Sequence, residues 1–292
     1  MGRLYARGTA WGFLALPLLV YMAVVLIPIL STFYFSLTDW DILGEANFIG
    51  LDNYIRMFGD PNFRLALNNN IIYLGINLLE IPIALFLAIS LVEIGKKFST
   101  YVKTIYFIPC IISSIAIAET VRRMVALVPQ GVINSFLELV GLAHLQSAFA
   151  GMPDTALYVV ALADVYRWTA LYMVIYYTAL ISIPNELIEA AKIDGANGFR
   201  TYIHIRLPMI RDIIVTTAIL ITTGVLKVFE MPFILTGGGP GFSSQVLATY
   251  MYLVSFDNLQ FGYGSAISIF QAALSMAAVV FLRIVFFKKK DI

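Results

Sequence analysis

Apolar residues run along most of the chain in long blocks separated by polar loops, with no sustained alternation of the kind a half-buried strand shows. About 20 consecutive, mostly apolar residues cross the roughly 30 Å of a bilayer's hydrocarbon core as one helix. Blocks of that length fall at 11–35, about 70–92, 104–128, 155–181, 213–235 and 264–287. The pattern predicts an all-α, polytopic membrane protein with six transmembrane helices. Arg3 and Arg7 resemble the basic start of a signal peptide. The block after them is too long for a signal core and lacks a small-residue cleavage site, so it reads as a retained first span. Pro17, Pro28, Pro82 and Pro109 are expected to kink the helices that contain them.

Composition agrees. Of 292 residues, 60% are hydrophobic and 13% charged, with a mean hydropathy of +0.85. Soluble domains carry about a quarter charged residues, so a soluble enzyme, a disordered tail and a nucleic-acid binder all fit this composition poorly. Cys110 is the only cysteine, which rules out an intrachain disulfide.

The net charge of +1 says little, but its distribution says which side is which. With six spans, both termini share a side with the second and fourth loops. That side holds Arg3, Arg7, Lys96, Lys97, Lys103, Lys192, Arg200, Arg206, Arg211, Lys288, Lys289 and Lys290; the other loops hold only Arg56 and Arg64. Basic loops stay inside, so both termini are expected in the cytoplasm. Outside, 36–69 is long enough for a short amphipathic helix on the membrane, 129–154 is amphipathic in part, and 236–263 opens on a glycine-proline cluster.

The most informative segment is the cytoplasmic loop at 183–210. Pro184 ends the fourth span and Asn185 can cap a new helix. Glu186 and Glu189 lie in its first turn, where the helix dipole favours carboxylates. Gly195 and Gly198 break it, and a second short helix runs from Phe199 towards Pro208. Such a helix–turn–helix has a shape that docks in a partner's groove.

This segment resembles the EAA loop of binding-protein-dependent ABC importer permeases: Glu-Ala-Ala, three residues, Gly, nine residues, Ile, one residue, Leu-Pro. Glu189, Ala190, Ala191, Gly195, Ile205, Leu207 and Pro208 match every position. Ile183-Pro184, Asp194-Gly195-Ala196, the 235–240 stretch Leu-Thr-Gly-Gly-Gly-Pro and the 261–266 stretch Phe-Gly-Tyr-Gly-Ser-Ala are similar to the carbohydrate branch, and in particular to MalF/UgpA-like permeases. The resemblance runs from about residue 67 to the end and implies a type I importer (MetI-like) core at 67–287. Residues 1–66 then form the N-terminus, first span and external loop, and 288–292 a basic tail. The resemblance implies the permease of a carbohydrate importer, for an oligosaccharide or glycoside, in a bacterial or archaeal plasma (inner) membrane. Its implied partners are a second, unlike permease, two ATP-binding subunits, an extracytoplasmic solute-binding protein and membrane lipid, with no nucleic acid. Glu189 would make the charged contact with the ATPase, Ala190 and Ala191 would permit close approach, and Gly195 would form the turn, with Asp194, Ile205, Leu207 and Pro208 completing the coupling segment.

A Walker A loop needs Gly, four residues, then Gly-Lys-Ser/Thr. The only Gly-Lys pair, Gly95-Lys96, is followed by Lys97 and has Ser90 where the first glycine belongs. No cofactor is therefore expected on this chain, and ATP and Mg belong to the partner ATPase. Isolated His144 and His204 argue against a metal site.

Ionisable residues within spans are costly and mark candidate sites. Glu80 stands alone, whereas Asp164/Arg167 and Lys227/Glu230 are spaced to pair along one helix face. With Tyr166, Trp168, Tyr172 and Phe229 they form a candidate substrate path, since aromatic faces flanked by hydrogen-bonding groups suit sugars; structural ion pairs and plain packing are the alternative reading. Glu119, Arg122 and Arg123 read as an interfacial charge cluster. A secondary transporter driven by an ion gradient would also use charges within spans, but leaves the EAA segment unexplained. An intramembrane enzyme would need a set such as His-Glu-x-x-His or Gly-x-Ser-x-Gly, and neither occurs. An ABC permease for another small solute stays open.

Overall fold

The computed structural model describes residues 7–286; Arg3 and the basic tail at 288–292 lie outside them. Four described helices are long and apolar enough to cross a bilayer alone: Gly12–Phe35, Pro61–Glu93, Pro153–Ile181 and Phe261–Phe286. Two bent pairs raise the total to as many as six if each is counted as one span: Phe98–Ile111 with Ser114–Met124, turned by 98°, and Gly198–Met209 with Arg211–Leu226, turned by 66°, the first helix of the latter pair belonging to the 183–210 segment expected in the cytoplasm.

The third and fifth spans are thus not the continuous helices that the apolar blocks suggest. The third breaks at Ile112–Ser113, three residues beyond Pro109, because Ser113 takes an extended conformation and its side chain accepts from the Ala116 amide, starting a new helix. The fifth ends at Leu226, turns through Lys227–Phe229 and resumes as Glu230–Thr236. Pro232 has no N–H to bond the Val228 carbonyl, so the helix cannot run through. The second span repeats the device more gently: Pro61–Asn77 and Glu80–Glu93 meet at a turn, with Pro82 just beyond.

The second span also begins at Pro61, ahead of the expected 70. The polar run at 68–70 lies inside the helix because its buried asparagines have partners. Asn69 Nδ2 donates to the carbonyls of Ser243 (3.0 Å) and Gln245 (2.8 Å). Asn70 Nδ2 donates to the Val225 carbonyl (3.1 Å), and its Oδ1 accepts from the Leu247 amide (2.8 Å). The stretch at 236–263, which reads as a loop, contains a buried helix, Leu247–Tyr252, continued by a wider turn at Leu253–Asp257.

The chain divides into two compact units. The first comprises Met1–Pro61 and Met251–Ala272. Its described contacts gather round the helix Asp52–Gly59, where Asn53 Nδ2 donates to the carbonyls of Ser36 (3.0 Å) and Thr38 (2.7 Å). Arg56 donates to Gln260 (2.7 Å) and Tyr263 to Asp60 (2.6 Å). The Gly262 amide donates to the Trp40 carbonyl (2.9 Å), and a Cβ at Gly262 would collide with the Thr38 carbonyl oxygen. The backbones therefore meet only because position 262 is glycine. In the first span's most apolar stretch nothing is buried.

The second unit comprises Asn62–Tyr250 and Ala273–Ile292 and holds every candidate functional residue. Its core packs the second span along the fourth. Ala84, Ala88, Ala161 and Ala163 let the helices approach closely, and Tyr73, Met173 and Tyr176 fill the space between layers.

Candidate functional site

The two Glu-x-Pro breaks define one site. Glu80 and Glu230 are each the first residue of a helix that restarts after a turn, with Pro82 and Pro232 two places on. At that position the helix dipole favours a carboxylate. Both residues line a cleft of about 620 Å³, whose wall is completed by the fourth span. Broken helices at membrane depth are tolerated where they line a cavity.

Of the expected path residues, Asp164, Arg167, Trp168, Tyr172, Lys227, Phe229 and Glu230 line this cleft. Tyr166 does not. It is exposed on another face of the fourth span and borders a separate apolar cavity with Ile108 and Ile112. At about 100° per residue, Asp164, Trp168 and Tyr172 share a face, while Tyr166 is turned roughly 200° from Asp164.

The ion pairing also differs from the local pairs expected. Buried Asp164 accepts a 2.7 Å hydrogen bond from Tyr73 Oη on the second span. Arg167 reaches Glu230 across the cleft (3.6 Å) and donates to Ser114 Oγ (2.8 Å). Ser114 in turn donates to Glu230, so three spans meet in one network. Lys227 and Glu230 cannot pair along a helix because the turn separates them. The Arg167 guanidinium also lies over the Trp168 ring, 4.9 Å from its centroid. Tyr73, Ser114 and the cleft residue Asn77 carry no signal in the sequence; only Glu-x-Pro inside an apolar block marks the breaks.

Nearby, the expected charge cluster forms on an exposed surface. Glu119 pairs with Arg122 (3.0 Å) and Arg123 (2.9 Å). Arg122 also donates to the carbonyls of Ile234 (2.7 Å) and Leu235 (2.9 Å), satisfying the end of the helix that Glu230 begins.

The segment at 183–210 forms two helices, Asn185–Ile193 and Gly198–Met209. Asn185 is the first helical residue. The turn has Gly195 at φ +84°, a conformation costly for any residue with a Cβ. Gly198 begins the second helix instead of breaking the first, because Asn197 caps it by accepting from the Arg200 amide (2.9 Å). Glu189, Ala190, Asp194 and Pro208 are exposed, Ile205 and Leu207 half-buried, and Ala191 is buried with Ile188 against the chain's own core. Exposed Leu187, Ile193 and Phe199 add apolar surface around Glu186 and Glu189.

The second helix is tied to the inner end of the second span. Tyr202 Oη donates to Glu93 Oε1 (2.6 Å), and Arg206 lies 3.8 Å from the same carboxylate and donates to the Tyr202 oxygen.

Four to six helices apolar enough to span a bilayer, with a cleft between broken helices that mixes charged, polar and apolar groups, define a multi-pass membrane protein built for transport. The chain belongs to the family of binding-protein-dependent transport system inner membrane components, whose profile matches residues 80–290. It is 34% identical over 274 residues to the probable ABC transporter permease protein YurN of Bacillus subtilis, covering 91% of this chain and 94% of that one. It is 32% identical to the diacetylchitobiose uptake system permease protein NgcF of Streptomyces coelicolor, covering 92% and 80%. A solved bacterial ABC transporter involved in the import of the acidic polysaccharide alginate shares the fold, with a TM-score of 0.86 at 22% identity over 97% of this chain and 96% of that one. The fold is that of a MetI-type ABC importer permease.

Proposed function

We propose that the chain forms half of the path by which an ATP-driven importer carries an oligosaccharide or glycoside across the plasma membrane. The carrying observation is the cleft: Trp168 and Tyr172 offer ring faces, while Asn77, Asp164, Arg167 and Glu230 offer hydrogen-bonding groups around them. That mixture suits a sugar, and the disaccharide in the name of the Streptomyces relative supports it. A second, unlike permease completes the path. A solute-binding protein delivers the sugar outside, and two ATP-binding subunits holding ATP and Mg engage the 183–210 segment inside, with Glu189 as the charged contact and Gly195 as the turn. Both termini are cytoplasmic.

The test is reconstitution of the complete importer in liposomes with a panel of saccharides that includes diacetylchitobiose. Trp168→Ala, Tyr172→Ala and Glu230→Ala should each lower uptake at least tenfold, while basal ATP hydrolysis stays within about twofold. Uptake at the normal rate in all three overturns the path assignment. Counterflow of a sugar by this chain alone overturns the division of labour.

A further inference from the structure

The exposed face of Asn185–Ile193 can be pushed, but a push matters only if it reaches the cleft. The backbone offers one route back into the fourth span and one forward into Arg211–Leu226. Neither includes the second span, although that span carries Asn77 and Glu80 of the cleft, Tyr73 behind Asp164, and Asn70 on the Val225 carbonyl at the fifth-span break.

Glu93 is the last helical residue of the second span. Tyr202 and Arg206 stand four apart in a widened helical turn, Tyr202–Arg206, which brings the guanidinium over the phenol ring at 4.4 Å from its centroid. Both side chains converge on the Glu93 carboxylate, at 2.6 Å from the phenol oxygen and 3.8 Å from the guanidinium. The Arg206 side chain is only 13% exposed, so the cluster is held in place by packing on one side. It is the point at which a side-chain network links the segment to the cleft's remaining wall.

We infer that Glu93, Tyr202 and Arg206 are positioning residues that make the 183–210 segment and the second span one rigid lever, so that displacement by the ATPases moves the Glu80 wall of the cleft. The inference rests on the coupling role proposed for the segment. A lever holds its internal distances while it swings. Spin labels at Ile71→Cys and Met209→Cys, both exposed, in a Cys110→Ser background report this directly. Ile71 lies 22 residues before Glu93, roughly 33 Å along the helix, within the range of pulsed electron resonance.

The measurement uses the full importer in lipid, ATP-free and after vanadate trapping with ATP and Mg. In the otherwise unaltered chain the label distance should stay the same in both states. In Tyr202→Phe and Glu93→Gln it should shift or broaden on trapping, with co-purification of the ATPases and basal hydrolysis retained. Stimulation of hydrolysis by the binding protein should fall at least fivefold. The double variant should be no worse than either single one, because both cut the same link. A distance that changes in the unaltered chain overturns the lever, as does one that stays fixed in both variants. Arg206→Lys keeps the charge and should retain most of the stimulation. Should Tyr202→Phe fail to fold, exposed Glu93→Gln decides between the same two outcomes. Failure of the coupling reading looks different: Glu189→Lys would then co-purify with the ATPases and transport as before.

Discussion

Single residues in this protein act mainly by satisfying a neighbour's backbone or carboxylate. Among the described residues Tyr73 is the only hydrogen-bond donor to buried Asp164, so Tyr73→Phe should destabilise the chain by about 1–3 kcal/mol, the usual penalty for stranding a buried polar group. Thermal unfolding in lipid nanodiscs checks this, and an unchanged midpoint refutes it. Gly262→Ala would force a methyl against the Thr38 carbonyl and should cost a similar amount by overpacking. The same melt tests it, with Gly12→Ala, where a Cβ meets nothing within 4 Å, as the control. At this scale the sequence is legible where chemistry is out of place. Asp164, Arg167, Lys227 and Glu230 stand out as charges in apolar blocks. Tyr73, Asn77 and Ser114 do not, because a tyrosine, asparagine or serine is unremarked in a membrane helix until its partner is known. Tyr166 qualifies by residue type alone, and its position on the helix turns it to another face.

The elements show why periodicity locates the spans and misses their breaks. Hydropathy sums over a window of side chains, whereas a helix ends when its backbone groups find other partners. Asn70 on the Val225 carbonyl and Ser113 on the Ala116 amide are such partners, and both lie inside apolar blocks. The coupling segment is more legible, since its glycines, prolines and charges act locally, although the capping role of Asn197 and the burial of Ala191 emerge only from the fold. Asn197→Ala should lower helix stability by about 1 kcal/mol, read as faster amide hydrogen exchange over Gly198–Met209 than in the unaltered chain. Gly195→Pro fixes φ near −65°, far from the +84° the turn requires. With Glu189→Lys, it should abolish uptake while leaving membrane insertion intact; normal transport in either variant would remove the segment from the mechanism.

For the molecule as a whole, the asymmetry of basic loops predicts which surface faces out. In a Cys110→Ser background, a membrane-impermeant maleimide on intact cells should label Leu43→Cys, and should label Ile94→Cys only after permeabilisation; the reverse pattern would invert the topology. The first span poses a different question. Its apolar stretch from Gly12 to Phe35 has no side chain buried within the described chain, whereas half of the corresponding stretch of Pro153–Ile181 is buried. With no side chain of this stretch buried among the described residues, its insertion is expected to draw mainly on the partitioning of its own apolar side chains. The first span can therefore leave the translocon as a finished unit while the rest of the chain is still on the ribosome. The broken fifth span has no such independence, because its carbonyls at Val225, Ile234 and Leu235 are answered by Asn70 and Arg122, which belong to earlier spans. Insertion is therefore expected to run in two stages, the first span early and the consolidation of the second, third and fifth late, since the Asn70 and Arg122 contacts can form only after the ribosome has delivered residues 225–247.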